Sequence, residues 1–524
     1  MDEKKPSLYS AIAIGVSSMI GSGWLFACYY AAKQAGPASL IAWVLGAILA
    51  IILGLLLAEI STIYQVRGLF SRLLTLTHNK DYGFVSAISN WLGVLIVVPS
   101  EAEATMQYLS TVVPSLTPYL FTSGHLTFQG ILCTVALIII YWLLNFWGMR
   151  SLAKTNNAMT IIKVAVPLLT AISIVAVSFH GSNFVAYGGS FAPYGVGAAF
   201  NSVISSGIFY AFFGFNMITI YAKELDNPKK NIPIALISAI VITLIIYLFL
   251  QIAFTAALDP TLVAKGWHRL SFTSPLAQLA QMLGLNVLMI ILYADAAVSP
   301  SGTAIIFTGS GSRMLTGMAF DHQVPGYFSK LNAQYKLSRR SLTWTVIFSI
   351  VLVFCFNNWA TIMVLVSVFE LISSIAVPLS FVRLRQDKAS ADRLFRTPFG
   401  KTLSLIIFIF LTYLLAQAPV TIVLIALLLH LFFFLIYCVV YYRCKRVEIG
   451  RAISSSWSMF LYLAFSVLFS YLHQIQVLDK ISSLIFFTLV SIGLYFSMLN
   501  QKSYQLNDGG FNDRLFGSEK ADPS

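Results

Sequence analysis

Charge is what this chain lacks most. Asp, Glu, Lys and Arg supply 10% of its 524 residues, against about 25% in an ordinary soluble domain, and that scarcity excludes a water-exposed globular protein. Cysteine is scarce too: Cys28, Cys133, Cys355, Cys438 and Cys444 are odd in number, unspaced and set in or beside apolar runs, which favours packing over a disulfide framework or thiolate site. The seven histidines show no metal-ligand spacing, so neither a metal nor another cofactor is expected. Gly309-Ser310-Gly311 is glycine-rich, but no strand precedes it and no lysine follows at phosphate-loop spacing; it reads as the cytoplasmic end of a span. No catalytic constellation, external ligand domain or filter-like repeat appears, which argues against an enzyme, a receptor and a channel.

What the chain has is hydrophobic length. It is 58% hydrophobic with mean hydropathy +0.81. Apolar cores lie near 10–31, 38–63, 84–113, 127–147, 158–179, 199–221, 232–257, 277–308, 342–356, 359–382, 403–417, 420–442, 456–472 and 481–499. At about 20 residues per crossing these make about fourteen transmembrane helices of an all-α polytopic membrane protein. The first run is too long for a cleavable signal and continues into the repeated pattern. With the amino terminus in the cytoplasm, only Lys33, Lys265, Arg269 and Lys480 of the 33 Lys and Arg fall outside, and Lys163 lies within a span. That positive-inside bias explains the net charge of +13 without nucleic acid. The expected organisation is a transporter core over 1–450 with twelve spans, two further helices over 451–500, and a polar cytoplasmic tail over 501–524.

Two spans are interrupted, the first at Gly21-Ser22-Gly23 and the sixth at Ala211-Phe212-Phe213-Gly214-Phe215. A break at membrane depth frees backbone groups that hydrocarbon cannot satisfy, so it persists where those groups line an enclosed cavity. If five helices are followed by five more, the breaks correspond, as in an inverted repeat around a midplane site. Donors at the first break suit a carboxylate, and carbonyls at the sixth suit an ammonium. Together they describe a holder for the invariant part of an α-amino acid. Close helix packing by small residues is the competing explanation.

Ile20-Gly21-Ser22-Gly23, the run Tyr210 through Phe215, and Glu224-Leu225-Asp226-Asn227-Pro228-Lys229-Lys230-Asn231-Ile232-Pro233 resemble the amino acid–polyamine–organocation permease family. Arg313-Met314-Leu315 with Met318-Ala319, then Pro325 and Phe328, is similar to that family's cytoplasmic signature. The resemblance covers about 8–440 and implies a five-plus-five inverted-repeat (LeuT-like) core with discontinuous first and sixth helices, sited in the cell membrane. It also implies coupled uptake or exchange of amino acids, with Ile20, Gly21, Ser22, Gly23, Tyr210, Ala211, Phe212, Gly214 and Phe215 around the substrate. Gly23-Trp24-Leu25-Phe26, Gly36-Pro37-Ala38-Ser39, Glu101-Ala102-Glu103 and Tyr293-Ala294-Asp295-Ala296 look like the branch of aspartate/glutamate–proton symporters.

Ionisable residues inside spans are costly and point to function. Lys163 occupies the place where, by the same resemblance, proton-coupled members carry a fifth-helix lysine in the role of a sodium ion. Its stem could instead snorkel to the cytoplasmic interface. Glu101 and Glu103 lie mid-span in the third helix and, at about 100° per residue, point nearly opposite ways. Asp295 and Glu370 lie mid-span in the eighth and tenth helices, and Glu59 sits at an interfacial helix end. Lys163, Glu101, Glu103 and Asp295 are the proton-coupling candidates. The reading is symport of an amino acid with protons, favouring aspartate or glutamate. An antiporter of cationic amino acids or polyamines is the alternative, because these carboxylates suit a cation.

Overall fold

The computed structural model describes residues 7–501 except 65, 67, 114, 123, 148–151, 186–189, 221–224, 333–336, 389–392, 394, 443–445 and 476–479. Side chains are not described for 152–158, 220, 480 and 481. Glu224, Cys444 and residues 502–524 therefore lie outside the described residues.

Among the described residues the regular structure is helical apart from a two-residue strand pair, Phe121–Thr122 against His125–Leu126. The first span is α1 (Leu8–Met19) and α2 (Gly23–Ala35). Next come α3 (Ser39–Ile63), the short α4 (Leu69–Thr77), α5 (Lys80–Val112), α6 (Thr117–Leu120), α7 (Phe128–Phe146) and α8 (Leu152–Val177). The sixth span is α9 (Val196–Ser205), α10 (Ile208–Phe212) and α11 (Met217–Ile220). It is followed by α12 (Pro228–Ala257), α13 (Pro260–Ala264), α14 (Pro275–Met282), α15 (Asn286–Phe320) and α16 (Arg339–Cys355). The chain continues through α17 (Trp359–Ser374), α18 (Ala376–Asp387), α19 (Gly400–Gln417), α20 (Val420–Tyr442), α21 (Arg446–Ile475) and α22 (Lys480–Leu499).

Among the described residues eleven helices are long and apolar enough to cross a membrane, or twelve if the bent pair in the sixth span is one crossing. That count takes Gly23–Ile63 as one helix, although a 3-10 turn at Gly36–Ala38 divides it, and omits the 17-residue α16. These are the places where it departs from the fourteen expected.

Burial sorts the helices. The apolar stretches of α5 and of the α17–α18 span are wholly enclosed, whereas α7, α8 and α22 present most of theirs to the outside. α5 packs chiefly on α15 and α17 and is the axis of the bundle. Its start is fixed by Asn79, whose side chain accepts the Tyr82 N–H at 2.8 Å and satisfies an otherwise unpaired first-turn donor.

Two expectations about the eighth span are corrected. The eighth span begins at Asn286, not 277, because Gly284 at φ +73° separates it from α14. It continues to Phe320, so Gly309-Ser310-Gly311 is helix interior; Ser312, Met314, Leu315 and Met318 beyond it are buried against protein, which sustains the helix outside hydrocarbon. Glu59, near the end of α3 as expected, is 1% exposed, takes two hydrogen bonds from Arg385 at 3.0 and 2.8 Å, and lies 3.3 Å from Arg393.

Candidate functional site

The two breaks meet. A Cβ placed on Gly23 would lie 3.1 Å from that of Ala211, and one on Gly214 would lie 2.7 Å from the Ser18 carbonyl. Gly214 has φ +117°, which an L side chain rarely adopts, so glycine is required there twice over. The sixth span bends a second time at Gly207, φ +81°, giving 57° between its halves. That bend has no counterpart among the sequence expectations.

The backbone groups that the breaks free are met by side chains from other helices. Tyr247 on α12 donates to the carbonyls of Met19 and Ala211 at 2.9 and 3.2 Å, tying the two breaks together. Lys163 on α8 donates to the Ser17 carbonyl at 2.8 Å and to Thr303 Oγ1 on α15 at 2.7 Å. Thr303 lies 3.2 and 3.3 Å from the Ser17 and Ile20 carbonyls. Lys163 is fully buried, so its ammonium does not snorkel; it joins the first, fifth and eighth spans.

On the donor side of the first break, Glu101 Oε2 accepts the Ser22 N–H at 2.6 Å and Oε1 accepts the Tyr210 hydroxyl at 2.7 Å. Tyr210 also lies within hydrogen-bond distance of the hydroxyls of Ser22 and Ser100, at 3.1 and 3.2 Å. Trp359 at the start of α17 donates its indole N–H to Ser22 Oγ at 3.0 Å. Trp359 stacks between Phe26 and Tyr30, with centroid distances of 4.5 and 5.7 Å. Tyr30 of this aromatic layer also lines an open cavity of about 550 Å³, with Lys33, Gln34, Tyr194 and His268.

The structure therefore gathers Ile20, Gly21, Ser22, Gly23, Tyr210, Ala211, Gly214, Glu101 and Lys163 in one region. Phe212 points to the scaffold, 5.9 Å from the Trp43 ring and 5.8 Å from that of Tyr247; Phe215 is buried. Glu103 is buried, and among the described residues neither of its oxygens has a hydrogen-bond partner of good geometry; the nearest donor is the Trp359 backbone. Asp295 accepts from Ser299 at 2.9 Å, with Oδ2 unpartnered; Thr303 lies one further turn along α15. Glu370 packs its Oε1 against Gly93. Sequence reasoning did not single out Thr303, Tyr247 or Trp359 as partners of the breaks. Hydroxyl and indole groups are common in spans, and only the helix arrangement reveals which of them face a break.

The amino acid permease model matches residues 7–425. The chain is 35% identical to the glutamate/serine transporter AimA of Bacillus subtilis over 90% of this chain and 87% of that one. It is 30% identical to an aspartate-proton symporter of the same organism, over 94% and 96%. Among solved structures, a manganese transporter of Eremococcus coleocola superposes with TM-score 0.51 at 14% identity, covering 93% of this chain and 95% of that one. The last likeness concerns fold alone and agrees with the five-plus-five inverted-repeat core. The protein is a multi-pass membrane transporter of amino acids and not an enzyme. The chain belongs to the amino acid permease family.

Proposed function

We propose that the protein is a proton-coupled amino acid symporter of the cell membrane, with both termini cytoplasmic, working by alternating access and needing no cofactor. The substrate's α-carboxylate is held by donors at the first break and its α-ammonium by carbonyls at the sixth. Lys163 is the proton element, and its bridge between the Ser17 carbonyl and Thr303 is the observation that carries the reading. When the ammonium is present, the first and eighth spans are held together at the break; when it loses its proton, that link weakens. Glu101, Glu103 and Asp295 are further proton-binding candidates.

Aspartate or glutamate is the favoured substrate, supported by the 30% identity to an aspartate-proton symporter and the 35% identity to a glutamate/serine transporter. Exchange of a cationic amino acid or polyamine is the second reading, favoured by the buried carboxylate of Glu103, which forms no salt bridge among the described residues. The test is uptake of radiolabelled aspartate, glutamate, serine and arginine into proteoliposomes with and without an inward proton gradient. Gradient-driven uptake of an acidic amino acid is the expected result. Arginine uptake that requires internal substrate would replace symport by exchange.

A further inference from the structure

We propose that Glu101 is a resident carboxylate occupying the substrate's place at the first break, and that the substrate's α-carboxylate enters as Glu101 takes up a proton and yields its donors. The inference rests on the amino acid reading of the breaks.

Three observations carry it. The carboxylate sits where an incoming one would bind: it accepts the Ser22 N–H at 2.6 Å and the Tyr210 O–H at 2.7 Å, beside the start of the 13-residue α2, whose dipole favours negative charge. It also fills the space. A Cβ on Gly21 would lie 2.3 Å from Oε1 and 2.8 Å from Cδ, so no second carboxylate fits over that backbone. Finally, Glu101 is 1% exposed and forms no salt bridge among the described residues. The charged group facing it is Lys163, whose bonds go to Ser17 and Thr303. Tyr210, Tyr141 and Tyr247 also face it and are neutral near pH 7. On α15 and α17, Asp295 faces Ser299, and Glu370 faces Gly93 and Ser373.

Two carboxylates cannot share those donors. One proton adds to Glu101, which becomes a neutral acid. The Ser22 N–H and Tyr210 O–H bonds then pass to the substrate's carboxylate, and no other bond changes. Release reverses both steps. Substrate binding at the break and proton uptake at Glu101 thus become one event, separate from the Lys163 bridge.

The test is equilibrium binding of L-glutamate, L-aspartate and L-serine to the purified full-length protein from about pH 5 to about pH 9. Wild-type affinity is expected to fall about tenfold per pH unit on the alkaline side, as uptake of one proton with the ligand requires. In Glu101→Gln, which has no proton to gain, that slope should vanish and binding persist at high pH. A Glu101→Gln profile that still falls overturns the role of Glu101 and leaves the amino acid site standing. Failure of all three amino acids to bind wild type at any pH overturns the amino acid reading and this inference with it. Should Glu101→Gln not fold, infrared difference spectra of wild type with isotope-labelled ligand decide the matter. Binding should raise a protein carboxylic-acid band at the expense of carboxylate absorption, and its absence sinks the proposal.

Discussion

At the scale of single residues, the first break is held by groups whose loss should separate coupling from binding. Lys163→Ala removes the ammonium between the Ser17 carbonyl and Thr303, and proteoliposome uptake should keep only the part of its proton-gradient response that Glu101 carries; an unchanged response would remove Lys163 from the mechanism. Trp359→Phe keeps an aromatic ring in the layer with Phe26 and Tyr30 but deletes the N–H to Ser22. One hydrogen bond of about 1 kcal/mol predicts roughly a fivefold rise in KM with kcat little changed. His78, outside the spans, behaves differently: burial, with the Arg383 charge adding, lowers its pKa to about 3. The unfolded chain takes up a proton near pH 6.5 that the folded one refuses, so this contribution to stability is full above about 6.5 and is lost as pH falls toward about 3. Thermal midpoints should drop across that window in wild type and less in His78→Asn. Lys163 stood out in the sequence as an ammonium inside an apolar run, while the meaning of its place in the fifth helix came from the family resemblance. Glu101 was legible as an intramembrane acid, but its partners Ser22 and Tyr210 lie 79 and 109 residues away, and no spacing rule connects them.

Among the elements, the sixth span shows how far glycine patterns can be read. The break around Gly214 was visible because it mirrors the one in the first span; the bend at Gly207 was not, since a solitary glycine in a membrane helix more often serves packing. Its φ of +81° and the Met363 sulfur 2.8 Å from a built Cβ make it both conformationally and sterically required. Gly195 has a similar φ of +79° but nothing within 4 Å. Gly195→Ala should therefore cost only backbone strain, of order 1 kcal/mol, and Gly207→Ala about 1–3 kcal/mol or more, read as the difference between their thermal unfolding midpoints. Equal effects would mean that Met363 yields freely. The eighth span was misjudged for a related reason: hydropathy measures contact with lipid, and α15 runs on past Gly309 against protein, where small and polar residues sustain a helix as well as apolar ones do.

Across the whole molecule, charge is gathered at the face opposite the cavity beside Lys33. There Arg72 on α4 grips Asp321 at the end of α15 with bonds of 2.8 and 2.6 Å, and Glu59 at the end of α3 binds Arg385 and Arg393. Removing one member of the buried Arg72–Asp321 pair should cost about 3–5 kcal/mol, because the other is left uncompensated. Arg72→Ala and Asp321→Ala should each lower the unfolding midpoint, and the double variant less than their sum; strict additivity would deny the coupling. At the same face Asp81 on α5 accepts hydrogen bonds from Tyr437 and Tyr442 on α20 and Ser455 on α21, at 2.6, 2.5 and 3.0 Å. The first of these partners is 356 residues further along the chain. At about 5–20 residues per second of translation, Asp81 waits roughly 20–70 s for it to be made. The axial helix of the bundle is thus among the earlier segments synthesised, yet its acidic cap is completed only when the last helices arrive, and each newly made molecule passes through a stage in which its two ends are not yet fastened.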